Sequence, residues 1–334
     1  MTVQCADALH VDDYAFLATV GGTLPANEAL IRSANKKIQR VRRNSFKGLH
    51  RSLWSKLQLD HVGAFSVTES DMAMLQAHII SQFVCHSGRI PQNTVITDGT
   101  ASIGGNVFAF AALFAQVNAV EINSMRAHML QHNVEIVGIA KKVRVWCGDI
   151  CAQAAARPGM TPHDVIFLDP PWGGGSYRTQ GKLSLCLGHA SLQQVCVDWS
   201  RESRLIALKL PLNFDFDDFF DEAQAAHALP FEQVFRGVLG YVKGSASVIY
   251  TDSDCIKHDQ HPKMILLILR VRVLSVIEHP PPPLLSQTPE PNMWQQLRSA
   301  SPPPPFGAPT PPGGAPNGPK GPGGAVACGA VCPI

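Results

Sequence analysis

The residues with the clearest chemical potential run from Asp169 to Gly174 and read Asp-Pro-Pro-Trp-Gly-Gly. They follow the apolar run Asp164 to Leu168, which predicts a buried strand. Two prolines fix φ and lack N–H groups, so the turn offers oxygen acceptors beside the indole plane of Trp172. Acceptors beside an aromatic face suit a flat heterocycle that carries an exocyclic amine. In isolation, a Pro-Pro turn with a packing tryptophan would be the better explanation.

Acidic residues also follow the other predicted strands. A glycine-containing loop from Asp98 to Asn106 follows the first strand and lets a ligand approach the backbone where a helix begins. Glu121 ends the second strand about 17 residues beyond Gly104, where an acid typically binds ribose hydroxyls. Asp149 follows the third strand. The loop lacks Gly-x-Gly-x-x-Gly spacing, and Glu121 alone is better explained as a surface acid.

The elements that must position these residues alternate between strand and helix. Such alternation predicts an α/β fold with a mostly parallel, doubly wound sheet and an antiparallel terminal strand. In such sheets ligands bind beyond the carboxyl ends of the strands, so the acids and the tryptophan motif are expected to share one site. The predicted strands are Thr94 to Asp98, Val117 to Ile122, Val143 to Cys147, Asp164 to Leu168, Arg204 to Leu210, Phe231 to Val242, Ser247 to Thr251 and Met264 to Val273. The predicted helices are Asn106 to Gln116, Ser124 to Val137 and Leu192 to Ser200.

Charge is distributed unevenly along the 334 residues. The formal net charge is only +2, but nine basic residues and no acid lie between Arg32 and Lys56. This basic segment is suited to a polyanion, and the rest of the chain is mildly acidic. A solvated basic helix and a nuclear import signal are alternative interpretations of the same residues.

Composition excludes a wholly disordered chain and a membrane protein. A hydrophobic fraction of 45% is enough for a packed core, and the apolar runs are too short to cross a bilayer. Nine cysteines without a Cys-x-x-Cys pair indicate a reducing compartment and no metal site. We therefore expect an intracellular monomer in the nucleus or cytoplasm.

About 17 of the 26 prolines follow residue 279, which predicts a disordered tail. The tail is either inert or a docking strip for SH3- or WW-type domains.

The chain resembles the trimethylguanosine synthase family, which comprises cap-specific guanine-N2 RNA methyltransferases. The resemblance is carried by Pro-Pro-Trp-Gly-Gly at 170–174, Phe-Ser-Val-Thr-Glu at 65–69 and Gly-Gly-Asn at 104–106. It covers roughly Trp54 to Arg270, and the stretch Leu208 to Phe214 is most similar to members from large DNA viruses. The implied fold is the Rossmann-like class I methyltransferase fold. Implied domains are an N-terminal extension (1–53), a methyltransferase domain (54–278) and a tail (279–334).

The resemblance implies S-adenosyl-L-methionine as cofactor and N7-methylguanosine-capped RNA as substrate. Capped RNA would become a di- or trimethylguanosine cap. The cofactor-binding residues implied are Phe65, Thr68, Asp98, Thr100, Gly104, Asn106, Glu121, Asp149 and Asp169. The catalytic residues implied are Asp169, Pro170 and Trp172, of which Trp172 would stack on the cationic N7-methylguanine. Arg40, Arg42, Arg43 and Lys56 are expected to contact the cap phosphates and the first nucleotides.

Four residues depart from the family pattern. Ser102 replaces the first glycine of the loop, and Asp169 replaces the serine of many cellular members. Ala64 stands where an aromatic residue is expected, and Gln58 where a basic one is. The alternatives are therefore an adenine-N6 or cytosine-N4 nucleic-acid methyltransferase, which also uses Asp-Pro-Pro-Trp, and a cap-binding module without catalysis.

Overall fold

The structure is a computed structural model, and it describes residues 38–152, 160, 162–221, 228–249 and 259–272. The proline-rich tail and the first residues of the basic segment, including Arg32, Lys36 and Lys37, lie outside the described residues. Within the described ranges, no helix is long and apolar enough to span a membrane.

Strands and helices alternate through most of the described chain. The strands are β1 (Val95–Asp98), β2 (Gln116–Glu121), β3 (Val143–Cys147), β4 (Val165–Leu168), β5 (Cys186–Leu187), β6 (Ala190–Ser191), β7 (Leu205–Leu210), β8 (Phe231–Val242), β9 (Ser245–Ile249) and β10 (Gln260–Val271). The helices are α1 (Arg51–Trp54), α2 (His61–Ser66), α3 (Ser70–His86), α4 (Gly105–Leu113), α5 (Ser124–Val137), α6 (Leu192–Trp199) and α7 (Phe216–Phe219). Residues 38–45 are also helical, and short 3-10 turns cover Pro91–Asn93 and Gly174–Thr179.

Eight strands form one sheet in the order β3-β2-β1-β4-β7-β10-β8-β9. The first five are parallel to one another, whereas β10, β8 and β9 pair antiparallel. This confirms the predicted fold class, with three antiparallel strands at the end of the sheet. Strand order reverses between β1 and β4, which is the point where doubly wound sheets bind ligands.

Burial explains why the central strands are almost entirely apolar. All residues of β4 and β7 are buried, as expected for strands covered on both faces. One hydrophobic cluster packs α3 and α4 on one face through residues such as Met72 and Phe110. A second cluster packs α6 on the other face through Val195 and Trp199. Phe46 belongs to the first cluster, so the residues before α1 also contribute to the core.

The long helix α3 is the largest element that the sequence did not predict. Its residues Met72 to Ala77 are all buried, including Gln76. A helix buried on most sides lacks the polar face that gives a 3.6-residue period, so periodicity does not reveal it. Helix α3 matters for the site because it begins directly after the segment that carries Phe65 and Thr68.

Candidate active site

The loops that follow β1 and β3 are hydrogen-bonded to strands β2 and β4 at the carboxyl edge of the sheet. Backbone N–H groups of Gly99 and Ala101 donate to the carbonyls of Phe167 and Val120, each at 2.9 Å. The N–H of Gly148 donates to the carbonyl of Glu121 at 2.9 Å. The four acids predicted to share one site, Asp98, Glu121, Asp149 and Asp169, therefore lie at strand ends that these hydrogen bonds hold together.

The glycine-containing loop makes its turn with one left-handed serine. Ser102 has φ 47° and Gly104 has φ 108°. The N–H of Ser102 donates to Glu121 Oε2 at 2.9 Å, so a serine serves where the family uses glycine. Gly105 opens α4, and a Cβ there would lie 2.8 Å from the backbone nitrogen of Thr68. This close approach holds the predicted cofactor-binding segment against the loop.

Glu121 is 5% exposed and is held by neighbouring groups on both carboxylate oxygens. Its Oε1 accepts hydrogen bonds from the N–H of Asn123 at 2.9 Å and from Arg126 Nε at 3.2 Å. Arg126 also lies 3.6 Å from Asp60, which caps α2 by accepting from the N–H of Gly63. Arg126 was not predicted from the sequence, although it follows the acid by five residues.

Asp98 is an almost completely buried carboxyl group at the end of β1. It is 1% exposed, and its Oδ1 accepts a hydrogen bond from the N–H of Thr100 at 3.1 Å. The pKa of Asp98 is raised to about 7, mainly by burial and in part by the charges of Asp169 and Glu121, while the hydrogen bond from Thr100 and the charge of Lys209 oppose the rise. Asp98 thus titrates near neutral pH, which is a frequent property of functional carboxyl groups.

Asp169 is paired with a buried lysine that the sequence analysis did not single out. Lys209 Nζ donates a hydrogen bond to Asp169 Oδ2, and the lysine side chain is 7% exposed. Burial raises the pKa of Asp169, whereas the charge and hydrogen bond of Lys209 act in the opposite direction. The signal was present, because Lys209 is the one charged residue in the apolar strand β7.

A chain of buried hydrogen bonds joins Lys209 to the core. Lys209 Nζ donates to Thr68 Oγ1 at 3.0 Å, and Thr68 Oγ1 donates to Asn106 Oδ1 at 2.6 Å. Asn106 Nδ2 donates to Gln76 Oε1 at 2.7 Å, and Gln76 Nε2 reaches the sulfur of Met264 at 2.9 Å. The chain brings together Thr68 and Asn106, both predicted as site residues, and adds Lys209 and Gln76 to them.

Trp172 lies partly buried beside the same lysine. Lys209 Nζ is 5.5 Å from the centroid of the indole, and the ring of Tyr177 packs edge-on at 5.2 Å. The indole Nε1 is buried and has no hydrogen-bond partner among the described residues. Pro170 is buried. The following loop is held by Asn213, whose Nδ2 donates to the carbonyls of Tyr177 and Gly181 at 2.9 and 2.8 Å.

Phe65 and Asp149 complete the predicted cofactor-binding set. The Phe65 side chain is 60% exposed at the end of α2. Asp149 Oδ1 accepts a hydrogen bond from the N–H of Cys151 at 2.8 Å. Burial raises the pKa of the Cys151 thiol to about 11, and Asp149 adds to that rise. Cys151 is therefore an ordinary neutral thiol, and no cluster of metal ligands occurs in the described part of the chain.

The predicted phosphate-binding residues divide into two kinds. Arg40, Arg43 and Lys56 are exposed. Arg42 is partly buried, its guanidinium donates to the carbonyl of Leu57 at 3.0 Å, and burial lowers its pKa. Arg42 is therefore hydrogen-bonded to the protein backbone, whereas the three other basic residues lie at the surface.

A known family model matches the part of the chain that contains the acids, the glycine-containing loop and the tryptophan motif. The sequence model of the RNA cap guanine-N2 methyltransferase family matches residues 93–252. Residues 93–252 are therefore similar to this family. The matched range contains the acids of the four strand ends, the tryptophan motif and Lys209.

Two curated proteins are similar to parts of this chain. An uncharacterized protein of Acanthamoeba polyphaga mimivirus is 37% identical over 39% of this chain. The chain spans about half, 51%, of that viral protein. The trimethylguanosine synthase of Schizosaccharomyces pombe is 29% identical over 55% of this chain and 74% of the relative. The resemblance to trimethylguanosine synthases is thus confirmed, and the chain also has a viral relative.

Among solved structures, an RNA methyltransferase candidate from Pyrococcus horikoshii is similar to this chain. The two share 13% identity with a TM-score of 0.43, covering 70% of this chain and 100% of that one. The match to the family model supports the predicted enzyme class and the predicted cofactor, S-adenosyl-L-methionine. The carboxyl groups of Asp98 and Glu121 are hydrogen-bond acceptors that suit an ammonium group and a ribose diol. These acceptors therefore fit this cofactor.

Proposed function

We propose that this protein transfers methyl groups to the exocyclic N2 of N7-methylguanosine caps on RNA, giving di- or trimethylguanosine caps. The observation that carries the proposal is the placement of Asp169 and Trp172 directly after β4, with Lys209 in contact with both. A carboxylate acceptor beside an indole face suits a base that carries an exocyclic amine. The N7-methylated ring carries a positive charge, which adds cation–π attraction to its stacking on the indole.

The cofactor residues follow from the same edge of the sheet. S-adenosyl-L-methionine, when bound, supplies an electrophilic methyl group on its sulfonium. Around it, we assign Asp98, Thr100, Gly104 and Asn106 to the methionine part, with Asp98 in its ionised form as partner of the ammonium group. Glu121, held on both oxygens, accepts from the ribose, and Asp149 accepts from the adenine amine. Exposed Phe65 and buried Thr68 close over the cofactor.

The protein residues act on the substrate mainly by positioning. The N2 lone pair of guanine is delocalised into the ring, and it must be turned towards the methyl group. Asp169 and the carbonyl of Pro170 accept the two amine hydrogens and localise that lone pair, while Trp172 fixes the plane of the base. A strong general base is not required, because the amine becomes acidic once it is methylated.

Exposed basic residues before α2 complete the substrate site. Arg40, Arg43 and Lys56 are assigned to the cap triphosphate and the first nucleotides, which they attract electrostatically. Arg42 holds the segment in place through Leu57. Gln58, which stands where a basic residue is typical, donates its backbone N–H to Asn133 Oδ1 at 2.7 Å and is therefore fixed by α5.

The proposal is tested with purified full-length protein and S-adenosylmethionine carrying a labelled methyl group. Three acceptors are compared: N7-methylated cap analogue, unmethylated cap analogue and adenine-containing RNA. Label transfer to the N7-methylated cap alone is expected. Transfer to RNA adenine would instead favour the amino-methyltransferase alternative, and cap binding without any transfer would favour the catalytically inactive module.

The role of Trp172 is tested separately. Trp172→Ala is expected to lower cap methylation at least a hundredfold while the Kd for cofactor changes less than threefold. Trp172→Phe keeps an aromatic face and is the matched control, with an intermediate loss. A large loss of cofactor affinity in the alanine variant would contradict the assignment of Trp172 to the base.

The domain limits 1–53, 54–278 and 279–334 remain our proposal for the chain. Because Phe46 and Leu49 are buried in the core, a shortened variant meant to fold should begin upstream of residue 38. A monomer in the nucleus or cytoplasm (of a host cell, if the protein is viral) also remains a prediction. The same holds for an SH3- or WW-type partner of the tail, which lies outside the described residues.

A further inference from the structure

We infer that Lys209 is a positioning residue for methyl transfer, which keeps Asp169 an ionised hydrogen-bond acceptor aimed at the exocyclic amine. The inference deepens the proposed function and rests on its assignment of Asp169 to that amine. Lys209 is a charged residue on a face of β7 that packs against the apolar core. Ala207, two residues before it on β7, lies in the apolar cluster beneath α3 and α4, and Lys209 shares that face of the strand.

Register explains why the two charged groups meet. Strands β4 and β7 are parallel neighbours, with Leu168 opposite Leu208. The next residues along each strand are Asp169 and Lys209, so the sheet itself brings the carboxylate and the ammonium group together. Asp169 is the first residue after β4, so the end of the sheet sets this contact.

The ammonium group of Lys209 has three partners that converge on the site. They are the Asp169 carboxylate, Thr68 Oγ1 at 3.0 Å and the indole of Trp172 at 5.5 Å. One cation therefore contacts a residue assigned to the cofactor, one assigned to the amine and one assigned to the base plane. A lysine serving only the stability of the core would not need this set of partners.

Charge balance around Asp169 makes the lysine necessary. The charged groups near Asp169 are Lys209 on β7 and Asp98 on β1, with Glu121 on β2 close to Asp98. Without Lys209, the partly buried carboxyl group of Asp169 would face only acids, and both burial and repulsion would raise its pKa. A protonated Asp169 loses the negative charge that localises the amine lone pair.

Kinetics of Lys209→Met test the inference. At pH 7 the variant is expected to lose at least tenfold in kcat, with the cofactor Kd changed less than threefold. The ratio of variant to parent kcat should rise at least fivefold between pH 7 and pH 9, as Asp169 regains its charge. Titration of the substrate affects variant and parent alike, so its effect cancels in this ratio. A loss that is independent of pH would overturn the inference, because a merely structural lysine gives that result.

A double-mutant cycle and a titration supply the remaining controls. In the Asp169→Asn background, Lys209→Met should change kcat less than twofold, whereas additive losses would overturn the inference. The Asp169 carboxyl carbon, identified in 13C NMR spectra by its loss in Asp169→Asn, should titrate at higher pH in Lys209→Met than in the parent. An unmoved midpoint contradicts the pairing. This titration needs no substrate, so it decides the pairing even if the parent protein methylates no cap.

Discussion

Thr100 and Asp169 are joined by a hydrogen bond in which the backbone N–H of Asp169 donates to Thr100 Oγ1 at 2.7 Å. The bond connects the loop after β1 with the loop after β4, so the proposed cofactor side and the proposed substrate side of the site share one hydroxyl. Thr100 in turn donates its N–H to Asp98. These hydrogen bonds thus fix the relative positions of Asp98, Thr100 and Asp169.

Removing that hydroxyl should destabilise the site. Thr100→Val keeps the shape but leaves the N–H of Asp169 without its acceptor, at a cost of about 1–3 kcal/mol in the free energy of unfolding. Thr100→Ser retains the hydroxyl and should cost less than half as much. Denaturant unfolding measures both. Equal stability of the valine variant and the parent would show that the bond is unimportant.

The close approach of α4 to Thr68 predicts a selective loss of cofactor affinity. In Gly105→Ala the new Cβ would lie 2.8 Å from the nitrogen of Thr68 and 2.9 Å from Val67 Cγ2, so the segment must move. We expect at least a tenfold rise in the cofactor Kd, measured by calorimetry. Gly181→Ala is the matched control, since a Cβ there has no atom within 4 Å. An unchanged Kd in Gly105→Ala would argue against cofactor binding at this segment.

The raised pKa of Asp98 predicts a pH-dependent stability. In the folded protein its pKa is about 7, above the unfolded value of 3.8. Between these values the folded state binds more protons, so the free energy of unfolding falls as pH rises from about 4 to 7, by on the order of 1–4 kcal/mol. Asp98→Asn should remove this contribution. Urea unfolding of both proteins at several pH values gives the difference, and parallel pH curves would refute the shift.

Neighbouring arginines of the basic segment should behave differently when replaced. Arg40→Ala and Arg43→Ala are expected to raise KM for capped RNA severalfold, more strongly at low salt, with little change in stability. Arg42→Ala should lower stability by about 1–3 kcal/mol, because it removes the donor to Leu57 and a partly buried side chain. If all three variants change KM alike and none unfolds more easily, the distinction is wrong.

Asn213 should control the loop beside Trp172. Asn213→Ala removes the donor to the carbonyls of Tyr177 and Gly181, which are the anchors of that loop. We expect a severalfold rise in KM for the cap, an unchanged cofactor Kd and faster proteolysis between residues 173 and 182. Gln194→Ala, on an exposed face of α6, is the control. A rise in the cofactor Kd alone would contradict this role.

Local patterns predicted most of the fold because they are strong where the structure is regular. Helix Ser124–Val137 and strand Val143–Cys147 have the predicted bounds, since a capping Asn123 and a left-handed Gly138 mark the helix ends in the sequence. Helix α3 was missed because burial on most sides removes its periodicity.

The contacts within the site were less accessible to sequence reasoning. Predicted residues such as Asp98 and Glu121 follow strands, and parallel strands bring their carboxyl ends together by rule. Lys209 and Arg126 were missed because their partners depend on strand register and on helix orientation. Arg42 was grouped with its basic neighbours, since charge alone does not distinguish an exposed guanidinium from one bonded to the backbone.

The left-handed serine in the glycine-containing loop affects how relatives of this protein can be found. Ser102 supplies the N–H that Glu121 requires and tolerates φ 47° without being glycine. A search pattern that demands glycine at this position would pass over the chain. A pattern that instead requires an acid followed by Pro-Pro-Trp, with a lysine 40 residues after the acid in an apolar strand, would include it. Such a pattern would collect proteins that share the buried ion pair.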